Sequence, residues 1–291
     1  MKRYRIVHTT TYSFDDTVSP CKAEAHLKPR ELPHQHCEFH QLVIRPMAEE
    51  VREYTDTFGN SVSYLEVVAQ LQTLAVTAIS VVEVSQSRNP KQAASSPWDE
   101  VRHRLENDDS EDISEVRQFV ANSQCVTTSL ELADYALTSF TPGRPIMEAS
   151  LDLMHRIHQD FIYDPGSTTI TTTVNEVFMQ KRGVCQDFAH LAVACLRSLG
   201  LAGRYVSGYL DTAALHGASH RIASDESHAW FSVYDPASGW IDFDPTVDRL
   251  PPEGYITTAW GRDYDDVSPL KGVFTGGGIH GLKVSVDVAR I

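Results

Sequence analysis

Over residues 4–85 apolar and polar positions alternate in short runs rich in Val, Ile, Thr and Tyr: YRIVHTTTYSF from Tyr4, EFHQLVIRP from Glu38, EEVREYTDTFGNSVSYLEVVA from Glu49 and TLAVTAISVVEVS from Thr73. A period of two sends successive side chains to opposite faces, so each run predicts a strand with one buried face. DTFGN, Asp56 to Asn60, supplies a hairpin turn. Strands with no helix between them predict a sandwich-like amino-terminal domain over residues 1–85. The polar stretch SQSRNPKQAASSP, from Ser85 to Pro97, contains two prolines and predicts a linker over 86–98. Beyond it the period changes. Ile113, Val116 and Val120 share one helical face, as do Leu130, Ala133, Leu137 and Phe140. Pro145 can open a helix whose apolar face is Ile146, Leu153, Ile157 and Phe161, and YDPG from Tyr163 closes it. A further helix begins at Cys185, with Phe188, Leu191, Ala192, Cys195, Leu196 and Leu199 on its stripe and apolar residues beside the stripe as well. Strands follow: AGRYVSGYL, HAWFSVYD, GWIDFDP and a terminal LKVSVDVARI. Helices first and strands afterwards predict an α+β domain over 99–291.

Composition adds exclusions. With 291 residues, 42% hydrophobic and 22% charged, the chain is long enough to fold on a hydrophobic core without disulfides or metal. A net charge of −14 with no basic stripe argues against nucleic acid as a partner. The amino end has no apolar core of a signal peptide, and no run reaches the 18 or so apolar residues of a membrane span, so a cytoplasmic protein without a membrane partner is expected. Five cysteines, Cys21, Cys37, Cys125, Cys185 and Cys195, form no CxxC pair and read as reduced thiols.

One cysteine stands apart. Cys195 lies on the apolar stripe and reads as packing. Cys185 follows Gly183 at the start of the most apolar helix, where unpaired N–H groups and the helix dipole favour an anion, and Gly183 leaves room for a substrate to approach the backbone. Downstream, His228 opens one strand and Asp244 closes the next, with PASG as the turn between them. Two adjacent antiparallel strands can hold an imidazole and a carboxylate side by side. A thiol attacking an amide needs this set: a base that takes the thiol proton and passes it to the leaving amine, and a carboxylate that fixes the imidazole.

GVCQDFAHLAVACLRSLGLAGRYVSGYL, HAWFSVYD and GWIDFDPT together resemble the core of the transglutaminase-like cysteine enzymes, related in fold to papain-type proteases. YRIVHTTTYSF and GRDYDDVSPLKGVF resemble the bacterial branch, in which a β-rich domain precedes that core. The resemblance covers nearly the whole chain. It implies a central helix packed on an antiparallel sheet, a nucleophile at Cys185, a base at His228 and a carboxylate at Asp244, with no cofactor and a peptide or protein amide as substrate. It implies hydrolysis through a thioester acyl-enzyme; the alternatives are transfer of the acyl group to an amine and a non-catalytic peptide-binding module. The β-rich domain could also deliver a substrate chain by pairing with it at an edge strand. For the oxyanion, Tyr163 and Gln180 stand as unranked side-chain candidates beside the backbone N–H of Cys185.

Other residues admit simpler readings. His34, His36 and His40 are evenly spaced, opposite Cys37, and read as a solvated strand face with no metal. Asp187 suits a first helical turn without a catalytic role. His216 and His220 fall in a polar loop, 211–227, at the mouth of the cleft. Asp242, two residues before Asp244, shares its strand face and is the rival carboxylate. FTGGGIHG, from Phe274, lacks the setting of a phosphate loop and reads as a turn.

Overall fold

A computed structural model describes residues 1–85, 95–169, 171–211, 227–251 and 254–291. The alternating amino-terminal runs form β1 (Lys2–Ala25), β2 (Gln35–Arg45), β3 (Glu50–Thr55), β4 (Ser61–Val67) and β5 (Leu71–Val84). β1 is long enough to serve twice. Its first half lies antiparallel to β5, with β2 beyond, and its second half, from Cys21 to Ala25, lies antiparallel to β4, with β3 beyond. The register breaks between Ser13 and Val18, where the strand passes from one set of partners to the other. Both halves bury their inner faces in one cluster that includes Phe14, Val18, Leu65, Leu74 and Val76, which is the sandwich-like packing expected.

Helices follow: α1 (Trp98–Asn107), α2 (Glu111–Arg117), α3 (Leu130–Leu137) and α4 (Ile146–Asp160), the last with Pro145 at its N-cap. A short β6 (Ile162–Tyr163), α5 (Val174–Gln180) and β7 (Arg182–Gly183) lead into α6 (Cys185–Ser198). Phe188, Leu191, Ala192, Val193 and Cys195 on α6 are fully buried. Each large apolar side chain there contributes roughly 1.5–3 kcal/mol of burial, which makes α6 the centre of the core. β8 (Gly203–Leu210), β9 (His228–Asp235), β10 (Gly239–Phe243) and β11 (Tyr255–Gly261) form an antiparallel sheet in the order β10-β9-β8-β11, on which α6 packs. α7 (Tyr264–Val267) then precedes β12 (Leu270–Gly276) and β13 (Ile279–Arg290). The fold is thus α+β, with an amino-terminal antiparallel sheet and a core of central helix on antiparallel sheet.

Three details depart from the sequence expectation. β12 and β13 do not join the core sheet: they hydrogen-bond along β1, so LKVSVDVARI, placed in the 99–291 core, completes the amino-terminal sheet. On α3 the buried residues are Leu132 and Ala136, with Phe140 just beyond, whereas Leu130 is 82% exposed. The helix is rotated from the face that its leucines suggested. α1, α5 and β11 had not been anticipated. FTGGGIHG forms the β12–β13 turn, and its Gly276 has φ 123° with no room for a Cβ against the Thr17 carbonyl.

Candidate active site

The start of α6 is built by its neighbours. Lys181 closes α5 with φ 55°, β7 pairs with β6 so that Tyr163 lies opposite Gly183, and Val184 is the extended N-cap. Asp187, three residues into the helix, accepts the Val184 N–H at 2.8 Å and the Thr168 hydroxyl at 2.7 Å. A Cβ on Gly183 would stand 2.7 Å from the Asp187 Cβ. Gly183 therefore makes room for the capping carboxylate, not for a substrate as the sequence reading had it. Burial raises the Asp187 carboxyl, and the Thr168 and Val184 donors oppose that rise. This side chain is committed to the helix start. Cys185, half-buried at the first helical position, packs beside Tyr205, Ala229 and Ala259.

His228 opens β9, and its Nε2 donates to Oδ2 of Asp244 at 2.6 Å. Asp244 lies one residue past β10, in a loop closed by a reciprocal backbone pair with Arg249 and turned by Asp248 at φ 55°. Its Oδ2 also accepts the Tyr255 hydroxyl at 2.7 Å, and its Oδ1 accepts the Thr246 N–H at 2.8 Å. The carboxylate is fully buried. Burial alone would raise Asp244, but the His228 charge and these donors hold it below the usual carboxylate range. Burial alone would lower His228; Asp244, aided by the Cys185 thiol that approaches the same ring, outweighs it and raises the imidazole. With Nε2 taken, Nδ1 is buried and has no formed hydrogen bond. The rings of Trp230 and Tyr255 flank the imidazole with centroids 6.0 and 6.1 Å away. Thiol, imidazole and carboxylate thus meet where the start of α6 faces the ends of β9 and β10.

The rival carboxylate goes elsewhere. Asp242 still lies within β10, opposite Ser232, whose hydroxyl donates to it. The strand ends at Phe243, so the alternation that placed both aspartates on one face does not extend to Asp244. His190 is buried, accepts the Tyr264 N–H at 3.1 Å and stacks near Tyr205; burial lowers its pKa to about 4. Tyr163 packs on Phe188, while Gln180 is exposed at the end of α5. A bulge between Cys37 and Phe39 puts His36 and His40 on opposite faces of β2, pairing one with Glu31 and the other with Ser80. His216 and His220 lie outside the described residues. Tyr255 escaped sequence reasoning because β11 did; the aromatic and β-branched run YITTAW after the turn residues PPEG is the signal that could have found it. Among the described residues, no helix is long and apolar enough to cross a membrane.

Residues 4–83 match the model of the bacterial transglutaminase-like N-terminal region, and residues 135–245 match that of the transglutaminase-like superfamily. An uncharacterised protein of Mycobacterium tuberculosis is 40% identical over 294 residues, covering 98% of this chain and 92% of that one. A protein-glutamine gamma-glutamyltransferase of Pseudomonas aeruginosa is 29% identical over 100 residues, 32% of this chain and 14% of its own length. The crystal structure of a candidate cysteine protease from Cytophaga hutchinsonii superposes with a TM-score of 0.77 at 23% identity, over 100% of this chain and 91% of that one. The two matched regions and a relative alike from end to end lead to one conclusion: the chain belongs to the transglutaminase-like superfamily, in its bacterial form with the β-rich amino-terminal region.

Proposed function

We propose that the chain is a cysteine enzyme that hydrolyses peptide or isopeptide-like amides, with Cys185 as nucleophile, His228 as base and acid, and Asp244 as the carboxylate that orients the imidazole. The observation that carries this reading is the 2.6 Å hydrogen bond from His228 to the buried Asp244, which leaves Nδ1 for the thiol at the start of α6. In the first half, Sγ attacks the carbonyl carbon, the amide C–N bond breaks, and the imidazolium gives its proton to the departing amine. In the second, water attacks the thioester, His228 accepts a water proton and returns it to sulfur, and free acid leaves. The Cys185 N–H at the helix start suits the oxyanion. Transfer of the acyl group to an amine is the second reading, favoured by the likeness to the Pseudomonas glutamyltransferase. Both readings share one acyl-enzyme.

Alkylation tests the site. Burial pushes Cys21, Cys37 and Cys125 up to about 11 and Cys195 up to about 12, so at pH 6 iodoacetamide should modify Cys185 well ahead of these four. Intact mass and peptide mapping read the result, and uniform slow labelling of all five would sink the assignment. Glycine amide added during turnover separates the readings: free acid should remain the main product, whereas amide product dominating at millimolar amine would establish transfer while leaving the three residues in place.

A further inference from the structure

On the face of the core sheet away from α6, Arg204 on β8 is 8% exposed and lies between two indoles, its guanidinium carbon 4.4 Å from the Trp240 ring centroid and 3.8 Å from that of Trp260. Its Nε is buried without a hydrogen-bond partner, and among the described residues it forms no ion pair. Asp242 acts on it only through space, with Ser232 donating to that carboxylate. Burial lowers the guanidinium to about 9, as expected of a cation deprived of both water and a partner.

A cavity of about 430 Å³ opens against this group, at the seam where the β3–β4 turn meets α2 and the core sheet. Its walls are aromatic: Phe119 meets Trp240 edge to face at 5.0 Å, Phe58 lies 5.8 Å from Phe119, and the Trp260 indole N–H donates to the Phe58 carbonyl. Stacking occupies the two faces of a guanidinium and leaves its N–H groups in the plane, pointing along the edge where a planar acceptor with two oxygens fits. The second guanidinium near Trp260, that of Arg30, is already engaged by Phe58 O and Asn60. Glu115 also lines the cavity and disfavours a multiply charged anion.

We propose that this cavity binds a carboxylate-bearing ligand, its two oxygens taking the in-plane N–H groups of Arg204 and its apolar part resting on the aromatic walls. The carboxylate can come from a small organic acid or from the carboxyl terminus of a peptide. Apolar walls around a single free guanidinium favour either of these over phosphate. The site is separate from Cys185 and does not depend on the activity proposed above.

The test uses full-length Cys185→Ala protein, so that no peptide is turned over, and follows tryptophan fluorescence, since Trp240 and Trp260 form the walls. Probes are phenylacetate, Gly-Gly-Phe, its carboxyl-terminal amide, and inorganic phosphate. Saturable quenching by phenylacetate, by the free-acid peptide or by both is expected, with the amide and phosphate weaker. Quenching by the peptide alone assigns the source to a chain terminus; quenching by phenylacetate alone assigns it to a small acid. Arg204→Met should weaken binding about tenfold or more, and Glu115→Gln should tighten it severalfold. If Arg204→Met does not fold, the Glu115→Gln result decides. Absence of saturable quenching, phosphate as the tightest probe, equal binding by Arg204→Met, or no tightening in Glu115→Gln would overturn the proposal.

Discussion

Asp244 accepts three donors on two oxygens, from His228, Tyr255 and the Thr246 backbone. An amide at this position keeps the shape but must either present its NH2 to donors or rotate and lose the imidazole. Asp244→Asn should therefore fold yet lose on the order of 10³–10⁴ in turnover, while Asp242→Asn should change little because Asp242 serves Ser232. The reverse ranking in a rate assay would mean the carboxylate is misassigned. The same pair leaves a trace in stability. The folded state holds the His228 proton above its ordinary value of 6.5, so this contribution is complete below about pH 6.5 and is lost as pH climbs toward the raised value. Asp244, held low, contributes in the opposite window: its share is present above the ordinary carboxylate value and is lost as pH falls through the depressed one. In Asp244→Asn the imidazole loses its main counter-charge, and burial, the largest influence, lowers it against the smaller opposing effect of Cys185. The wild-type fall in Tm between roughly pH 7 and pH 9 should then flatten in this variant. Equal slopes in both proteins would mean that the two groups are not linked.

At the scale of elements, the proposed catalysis depends on where α6 begins, and that point is fixed by Gly183 and Asp187. Gly183→Ala brings a Cβ to 2.7 Å from the Asp187 Cβ and 2.8 Å from its Oδ2, so the carboxylate must leave the Val184 N–H and the first turn must shift. A loss of about 1–3 kcal/mol is expected, with a larger proportional loss of activity because Cys185 moves with the turn. Chemical denaturation and a rate assay check it; stability and activity at wild-type level would remove Asp187 from this role. The elements nearest the chemistry were the most legible: α6 by its apolar stripe, β9 and β10 by alternation around a short turn. α3 was legible as a helix but not in its orientation, because apolar residues lie on both of its faces and only packing on α6 chooses Leu132 over Leu130. α5 buries only Val174 and Val177 and relies on the Thr173–Glu176 capping box, so it offers little period to read. α1, by contrast, carries Trp98, Val101 and Leu105 at helical spacing, a signal that lay open next to the linker.

For the whole molecule, the association of the amino-terminal sheet with the core could not be read from any local pattern, since it joins residues about two hundred positions apart. The Gln35 side chain donates to the Thr257 carbonyl and accepts the Thr257 N–H, both at 2.8 Å. Asn60 repeats this on Trp260, donating to its carbonyl at 2.8 Å and accepting its N–H at 3.0 Å. Two side-chain amides thus act as a substitute strand along the free edge of β11, the strand that carries Tyr255 to Asp244. Tyr4, Ile6, Val82 and Val286 close the same seam against Tyr209 and Ile256. An amino-terminal region that served only to deliver substrates would not need to support the strand behind the carboxylate of the candidate site. Gln35→Ala leaves the buried N–H of Thr257 without a partner, while the Thr257 carbonyl keeps the Arg30 N–H at 3.0 Å, so a loss of about 1–3 kcal/mol is expected. Because the loss acts through Tyr255 and Asp244, turnover of a small amide should fall in the same proportion as turnover of a protein substrate. Measuring both in wild type and variant decides between the two roles: a fall confined to the protein substrate would make this sheet a docking surface, and a parallel fall makes it part of the scaffold that holds the imidazole in place.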